Sequence, residues 1–244
     1  MKIKWVFFDL DDTLFDFAKS SLISLEKLWR EQDIIRQKFA TPESFIDEYH
    51  IHNSRMWELH ESGKITSEFL KGERFRLTIA PERDDEEIQK ISRMLNDRYL
   101  YLLGECDAPV KGAKELLQHF SKKYMIGVLT NGFNEVQYRK LINSGLDRYI
   151  QRVVISDEIG VQKPDTRLFR HAESETGATA ETSIMIGDNP KNDIQGALDA
   201  GWSAIYFDCK GKGFESESER YLGRVEALDE IEVLLRTRRG ASLP

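Results

Sequence analysis

The sequence predicts an α/β fold: a doubly wound, mainly parallel sheet with an all-helical domain inserted after its first strand. Three observations predict it. Over residues 106–244, short apolar runs that end in acidic or small polar residues alternate with amphipathic helical stretches, the pattern of βαβ units. A run of the same kind, Trp5-Val6-Phe7-Phe8, opens the chain and stops at Asp9. Residues 16–105 contain no such run and are spaced helically throughout. The expected domains are therefore 1–15 (first strand and its loop), 16–105 (helical) and 106–244 (the rest of the α/β domain).

Within 16–105, Leu22, Leu25, Leu28 and Trp29 fall at helical intervals. Thr41-Pro42-Glu43 is a helix start, with Thr as N-cap and Pro in the first turn. Gly63 breaks the pattern and Thr66-Ser67-Glu68 restarts it. Asp84-Asp85-Glu86-Glu87 sets acids against the positive end of a helix dipole, and Ile88, Ile91, Leu95, Tyr99 and Leu102 continue from it. About four helices are expected here. Further on, Met125–Leu129 ends at Thr130-Asn131-Gly132, and Val153–Ile155 at Ser156-Asp157. Ile184–Ile186 ends at Gly187-Asp188-Asn189, and Ala204–Phe207 at Asp208. Helices are expected over 110–121, 134–144, 165–176, 192–200 and 228–235. Residues 215–220 read as a solvated loop and 236–244 as a frayed tail.

Composition narrows the partners. The 244 residues carry 35 Lys+Arg and 42 Asp+Glu, a net charge of -7. That balance speaks against a nucleic-acid polymer, which needs a clustered basic face. No apolar run approaches a membrane span, and Trp5–Phe8 is too short for a signal-peptide core. Two cysteines, Cys106 and Cys209, form no CxxC pair, so a cytoplasmic location is expected. Oligomeric state is not legible.

A doubly wound sheet binds ligands at the carboxyl ends of its strands. Asp9, Asp11, Thr130, Asn131 and Asp188 all fall just past such ends, and Asp193 follows closely. Two like charges 4 Å apart repel by roughly 4 kcal/mol at an effective dielectric near 20. Crowded acids therefore call for a cation, and an all-oxygen donor set suits Mg²⁺. Lys163, the Thr130 hydroxyl and backbone N–H groups at Asn131-Gly132 would add an oxyanion cradle for a phosphoryl group. Of Asp9 and Asp11, one would attack phosphorus while the other shuttles a proton. Asp193 either caps the helix that follows or holds Lys163 and its loop.

The segments Asp9-Leu10-Asp11-Asp12-Thr13, Leu129-Thr130-Asn131-Gly132, Lys163-Pro164 and Gly187-Asp188-Asn189-Pro190-Lys191-Asn192-Asp193 resemble, in order, the four motifs of the haloacid dehalogenase superfamily. The helical insertion resembles that family's small cap, and the rest its Rossmann-like core. The resemblance implies Asp9 as nucleophile, Asp11 as general acid/base, and Thr130 and Lys163 on the phosphoryl oxygens. It implies Mg²⁺ on the carboxylates of Asp9 and Asp188 and the backbone carbonyl of Asp11, with Asp193 in support. Asp12 stands where the family more often has Gly. Asp11 argues for phosphate esters, since a halide leaving group needs no proton.

The stretch Leu129–Phe133, with Ser144-Gly145-Leu146, Val154–Pro164 and Gly63-Lys64-Ile65-Thr66, is similar to the pyrimidine 5′-nucleotidase branch. A nucleoside monophosphate is thus the expected substrate. The alternatives are a phosphatase for another small metabolite such as a sugar phosphate, a phosphomutase, a receiver module (about half this length) or a catalytically silent relative. In the insertion, Trp57, His60, Lys64, Arg74 and Phe75 are candidates for a base pocket, although core or surface is the commoner fate of such residues. Tethers near Phe15–Asp16 and Glu105–Pro109 suggest a closing motion that would expel water.

Overall fold

In the computed structural model, which describes residues 2–240, β1 (Trp5–Phe8) is buried at every position. Consecutive apolar residues can all be buried only in a sheet covered on both faces. After β1 the chain leaves the sheet for α1 (Phe17–Glu31), α2 (Asp33–Lys38), α3 (Pro42–Glu61), α4 (Ser67–Ile79) and α5 (Glu86–Gly104). It returns through α6 (Ala113–Phe120), β2 (Met125–Thr130), α7 (Asn134–Asn143), β3 (Arg152–Ile155), α8 (Ser156–Ile159) and α9 (Thr166–Thr176). Then come β4 (Ser183–Gly187), α10 (Gly196–Asp199), β5 (Ser203–Phe207), β6 (Tyr221–Val225) and α11 (Glu230–Gly240). The chain divides into two compact units, Ala18–Cys106 and the residues on either side of it.

The six strands are all parallel, in the order β3-β2-β1-β4-β5-β6. Strand order reverses at β1, which makes its carboxyl end the topological switch point. Phe8 is level with Val128 and with Ile186. Asp9, Thr130 and Asp188 therefore emerge within two residues of one line. Beneath them, Phe7 packs on Trp202 with ring centroids 4.7 Å apart, and Phe169 meets Trp202 edge-on at 5.3 Å.

In the helical unit, Thr41, Thr66 and Asp85 are N-caps, accepting from the backbone N–H of Ser44, Phe69 and Ile88. Its interior is aromatic. The Tyr49 ring lies 4.9 Å from Phe75 and 5.5 Å from Tyr99. The short α2 escaped the sequence reading because Ile35 is its one buried residue.

Other elements differ from expectation as well. The helix expected from 110 starts at Ala113, because Gly112 takes a left-handed backbone (φ 87°) at the N-cap. The helix expected over 192–200 is a π-helical turn, Pro190–Gln195, followed by α10. The segment read as a tail from Arg236 continues α11 to Gly240, and 241–244 lie outside the described residues. No helix among the described residues is long and apolar enough to cross a membrane.

Candidate active site

Lys163 is the hub of the strand-end cluster. Its buried ammonium donates to Asp9 Oδ1 at 2.7 Å, Asp193 Oδ1 at 2.6 Å and the Leu129 carbonyl at 2.8 Å. Those are all three of its donors. The loop that carries it is clamped by Asn131, whose side chain accepts from the Lys163 backbone N–H at 2.8 Å and donates to its carbonyl at 2.9 Å. Asn131 thus ties the end of β2 to the Lys163 loop through its side chain.

Asp193 reaches back to the sheet because residue 187 has no side chain. A Cβ on Gly187 would lie 2.2 Å from Asp193 Oδ2. That oxygen accepts from the Asn189 N–H at 2.9 Å, while the Asn189 side chain caps the turn. Of the two roles open to Asp193, the geometry therefore has it holding Lys163 and its own loop. Ligand oxygens of Asp9, Asp188 and Asp193 lie within 4.8 Å of one another.

Crowding shows in the proton affinities. Burial pushes Asp9 well above the usual carboxylate range despite Lys163, and Asp193 and Asp188 add to the rise. Asp188 is pushed up to about 6 by burial and by Asp193, with Lys210 opposing. Burial alone would lower Lys163, but Asp193 and Asp9 overcome it and hold the ammonium charged.

Asp11 stands in a second cluster beside the first. The chain turns back over 10–15, with the N–H groups of Thr13, Leu14 and Phe15 all directed at the Leu10 carbonyl. Asp11 then meets α7: Lys140 donates to its Oδ1 at 2.7 Å and Gln137 to its Oδ2 at 3.2 Å. Gln137 also donates to Thr130 Oγ1 at 2.7 Å.

Neither Gln137 nor Lys140 was singled out from the sequence. The available signal was spacing, since both fall on the apolar face of α7 with Val136 and Leu141. Lys210 was missed as well. It reaches Asp12 at 2.7 Å and Asp188 at 3.3 Å. Asp12 has φ 57°, the left-handed region that favours glycine, but glycine would offer Lys210 no carboxylate.

Around this edge stand five carboxylates (Asp9, Asp11, Asp12, Asp188, Asp193) and three ammonium groups (Lys140, Lys163, Lys210). The formal surplus is two negative charges, with a hard-oxygen donor set at the centre. Both features fit one divalent cation such as Mg²⁺.

The insertion residues considered for base binding differ in burial. Arg74 and Phe75 are in the interior of the helical unit and Lys64 is exposed. Trp57 and His60 are half-buried, with ring centroids 5.7 Å apart.

A family model described as haloacid dehalogenase-like hydrolase matches residues 3–201. The chain is 31% identical over 241 residues to the pyrimidine 5′-nucleotidase YjjG of Escherichia coli, covering 96% of this chain and 99% of that one. It is 30% identical over 210 residues to the pyrimidine 5′-nucleotidase PynA of Streptococcus pneumoniae, covering 85% of each. A crystal structure of the HAD-hydrolase YfnB from Bacillus subtilis, bound to magnesium, superposes with a TM-score of 0.81 at 24% identity, over 96% of this chain and 99% of that one. The motifs, their placement at the strand ends and these likenesses agree: the chain belongs to the haloacid dehalogenase-like hydrolases.

Proposed function

We propose that this enzyme is a Mg²⁺-dependent phosphomonoesterase that works through an aspartyl-phosphate on Asp9 and hydrolyses pyrimidine nucleoside 5′-monophosphates. One observation carries the chemistry. Asp9 Oδ1 is pinned by Lys163, while its Oδ2 accepts no hydrogen bond from the described residues. A carboxylate fixed at one oxygen and open at the other is an oriented nucleophile.

Asp9 Oδ2 forms the bond to phosphorus as the bond to the leaving oxygen breaks, and Asp11 gives that oxygen a proton. Asp11 then takes a proton from water, whose oxygen attacks phosphorus and releases Asp9 and inorganic phosphate. The Thr130 hydroxyl and the Asn131 N–H hold the phosphoryl oxygens, while the Gly132 N–H, expected to join them, is turned to Thr130 Oγ1 at 3.4 Å. With its donors committed, Lys163 acts on the phosphoryl group through its charge. Asp9, Asp188 and the Asp11 backbone carbonyl would hold Mg²⁺, with Asp193 in support. The ion would supply positive charge against the phosphoryl oxygens.

The substrate class rests on the nucleotidase names of the two relatives aligned over most of their length. Both cysteines are free thiols, which suits the cytoplasm, the location we propose. A hydrolysis screen over nucleoside monophosphates and sugar phosphates, with Mg²⁺ and with a chelator, tests the reading. Turnover is expected to be highest on pyrimidine monophosphates and to vanish with the chelator. Asp9→Asn should lose at least about 10³-fold in kcat while keeping its fold. Preference for sugar phosphates would overturn the substrate, and an active Asp9→Asn would overturn the mechanism.

A further inference from the structure

Gln137 and Lys140 are a fully buried amide and a buried ammonium that the chemistry above leaves without a task. Three residues apart on α7, they share one helix face. Lysine can only donate and a carboxylate can only accept, so the Gln137 amide has a single workable orientation. Its oxygen accepts from Lys140 at 2.8 Å, and its nitrogen serves both Asp11 and Thr130.

Two consequences follow for groups that handle substrate. Thr130 Oγ1 accepts from Gln137 at 2.7 Å and from the Gly132 N–H at 3.4 Å. Its lone pairs are occupied, so the hydroxyl is left to act as a donor. Asp11 is gripped unevenly, at Oδ1 by an ammonium at 2.7 Å and at Oδ2 by an amide at 3.2 Å. Oδ2 is the oxygen more easily released.

The surroundings reinforce this arrangement. Lys140 Nζ lies 5.4 Å and 5.1 Å from the centres of the Phe15 and Phe17 rings. Asp11 is its one carboxylate partner among the described residues. Gly132 leaves the space in which Gln137 sits, since a Cβ there would fall 2.2 Å from Gln137 Nε2.

We propose that Gln137 and Lys140 are positioning residues. Lys140 anchors Asp11 by Oδ1 and so leaves Oδ2 to exchange the proton with the leaving oxygen. Gln137 sets the Thr130 hydroxyl as a donor to the phosphoryl group. The assignment rests on the roles given above to Asp11 and Thr130.

A pair that merely stabilised the fold would be indifferent to the leaving group, and this separates the two cases. Full-length enzyme with Mg²⁺ is assayed on a pyrimidine nucleoside monophosphate, whose alkoxide needs a proton, and on p-nitrophenyl phosphate, whose phenolate does not. Lys140→Met should lower kcat/KM, which reports transfer to Asp9 and not the later water step that both esters share, about 10- to 100-fold on the nucleotide and only a few-fold on the aryl ester. In an Asp11→Asn background it should add almost nothing on the aryl ester.

Equal loss on both esters, or an undiminished loss in the Asp11→Asn background, overturns the role of Lys140. If Lys140→Met does not fold, Gln137→Glu provides the second arm. Its carboxylate cannot donate to Thr130, so competitive inhibition by inorganic phosphate should weaken about 10-fold. Unchanged inhibition overturns the proposal. Asp11→Asn alone separates the levels. If it affects both esters equally, the proton-donor role itself falls; if it discriminates and Lys140→Met does not, only the positioning role falls.

Discussion

Lys163 in the α/β unit and Arg74 in the helical unit are each 2% exposed, yet they stand in different surroundings. Lys163 lies between two carboxylates. Arg74 donates to Asn96 Oδ1 at 3.0 and 2.6 Å and to Asn53 Oδ1 at 3.2 Å, and the centroid of the Tyr99 ring lies 5.2 Å from it. Amide oxygens and a ring face are among the groups that can make a buried cation tolerable within a scaffold. Around Lys163 the acids outnumber what one ammonium can balance, and Asp9 and Asp188 both hold protons more tightly than free carboxylates do. Unspent negative charge, more than burial of a charge, distinguishes the working site from the scaffold.

Removing the two cations would break or sharpen that contrast. Lys163→Met strands two buried carboxylates. It should cost about 3–5 kcal/mol, seen as a lower melting temperature, and abolish turnover. A cost no larger than that of a surface lysine would erase the distinction.

The second test uses pH and metal. The folded-state value near 6 for Asp188 lies above its ordinary 3.8, so the native protein binds this proton more tightly than the unfolded chain does. The resulting penalty is absent at low pH and complete above pH 6, where it reaches about 2–3 kcal/mol. Metal-free protein should therefore gain stability from this group as pH falls from 7.5 towards 5. Mg²⁺ should raise the melting temperature more at pH 7.5 than at pH 5.5, and Asp188→Asn should flatten both responses. A Mg²⁺ effect that does not vary with pH would detach Asp188 from the ion.

The smallest effect belongs to Arg74→Met. Leaving the Asn53 and Asn96 oxygens short of a donor should cost about 1–3 kcal/mol. Hydrolysis of p-nitrophenyl phosphate should stay within a few-fold, as measured by steady-state kinetics. A large loss of kcat would move Arg74 from scaffold to site.

The strands β1 to β5 were legible because each holds a short apolar run stopped by a polar residue or glycine, a signal internal to the segment. β6 was not. Its Tyr221-Leu222-Gly223-Arg224-Val225 contains a glycine at φ 136° and a charged residue, and it pairs along one side with β5 alone. An edge strand of that composition carries little periodicity. The same boundary runs through the candidate active site. Asp9, Asp11, Thr130, Lys163 and Asp188 stand next to strand ends or proline, where local pattern marks them out. Gln137 and Lys140 sit mid-helix, and Lys210 in a long connection, so their relevance depends on which residues folding brings near Asp11, Asp12 and Asp188.

Lys163 has a proton directed at each of three fixed oxygens, so it cannot swivel to greet an arriving anion. Its charge is aimed by protein contacts alone. On the proposed mechanism, the reorientation that water would have to undergo around a reacting phosphate is replaced by work completed once, when the chain folded.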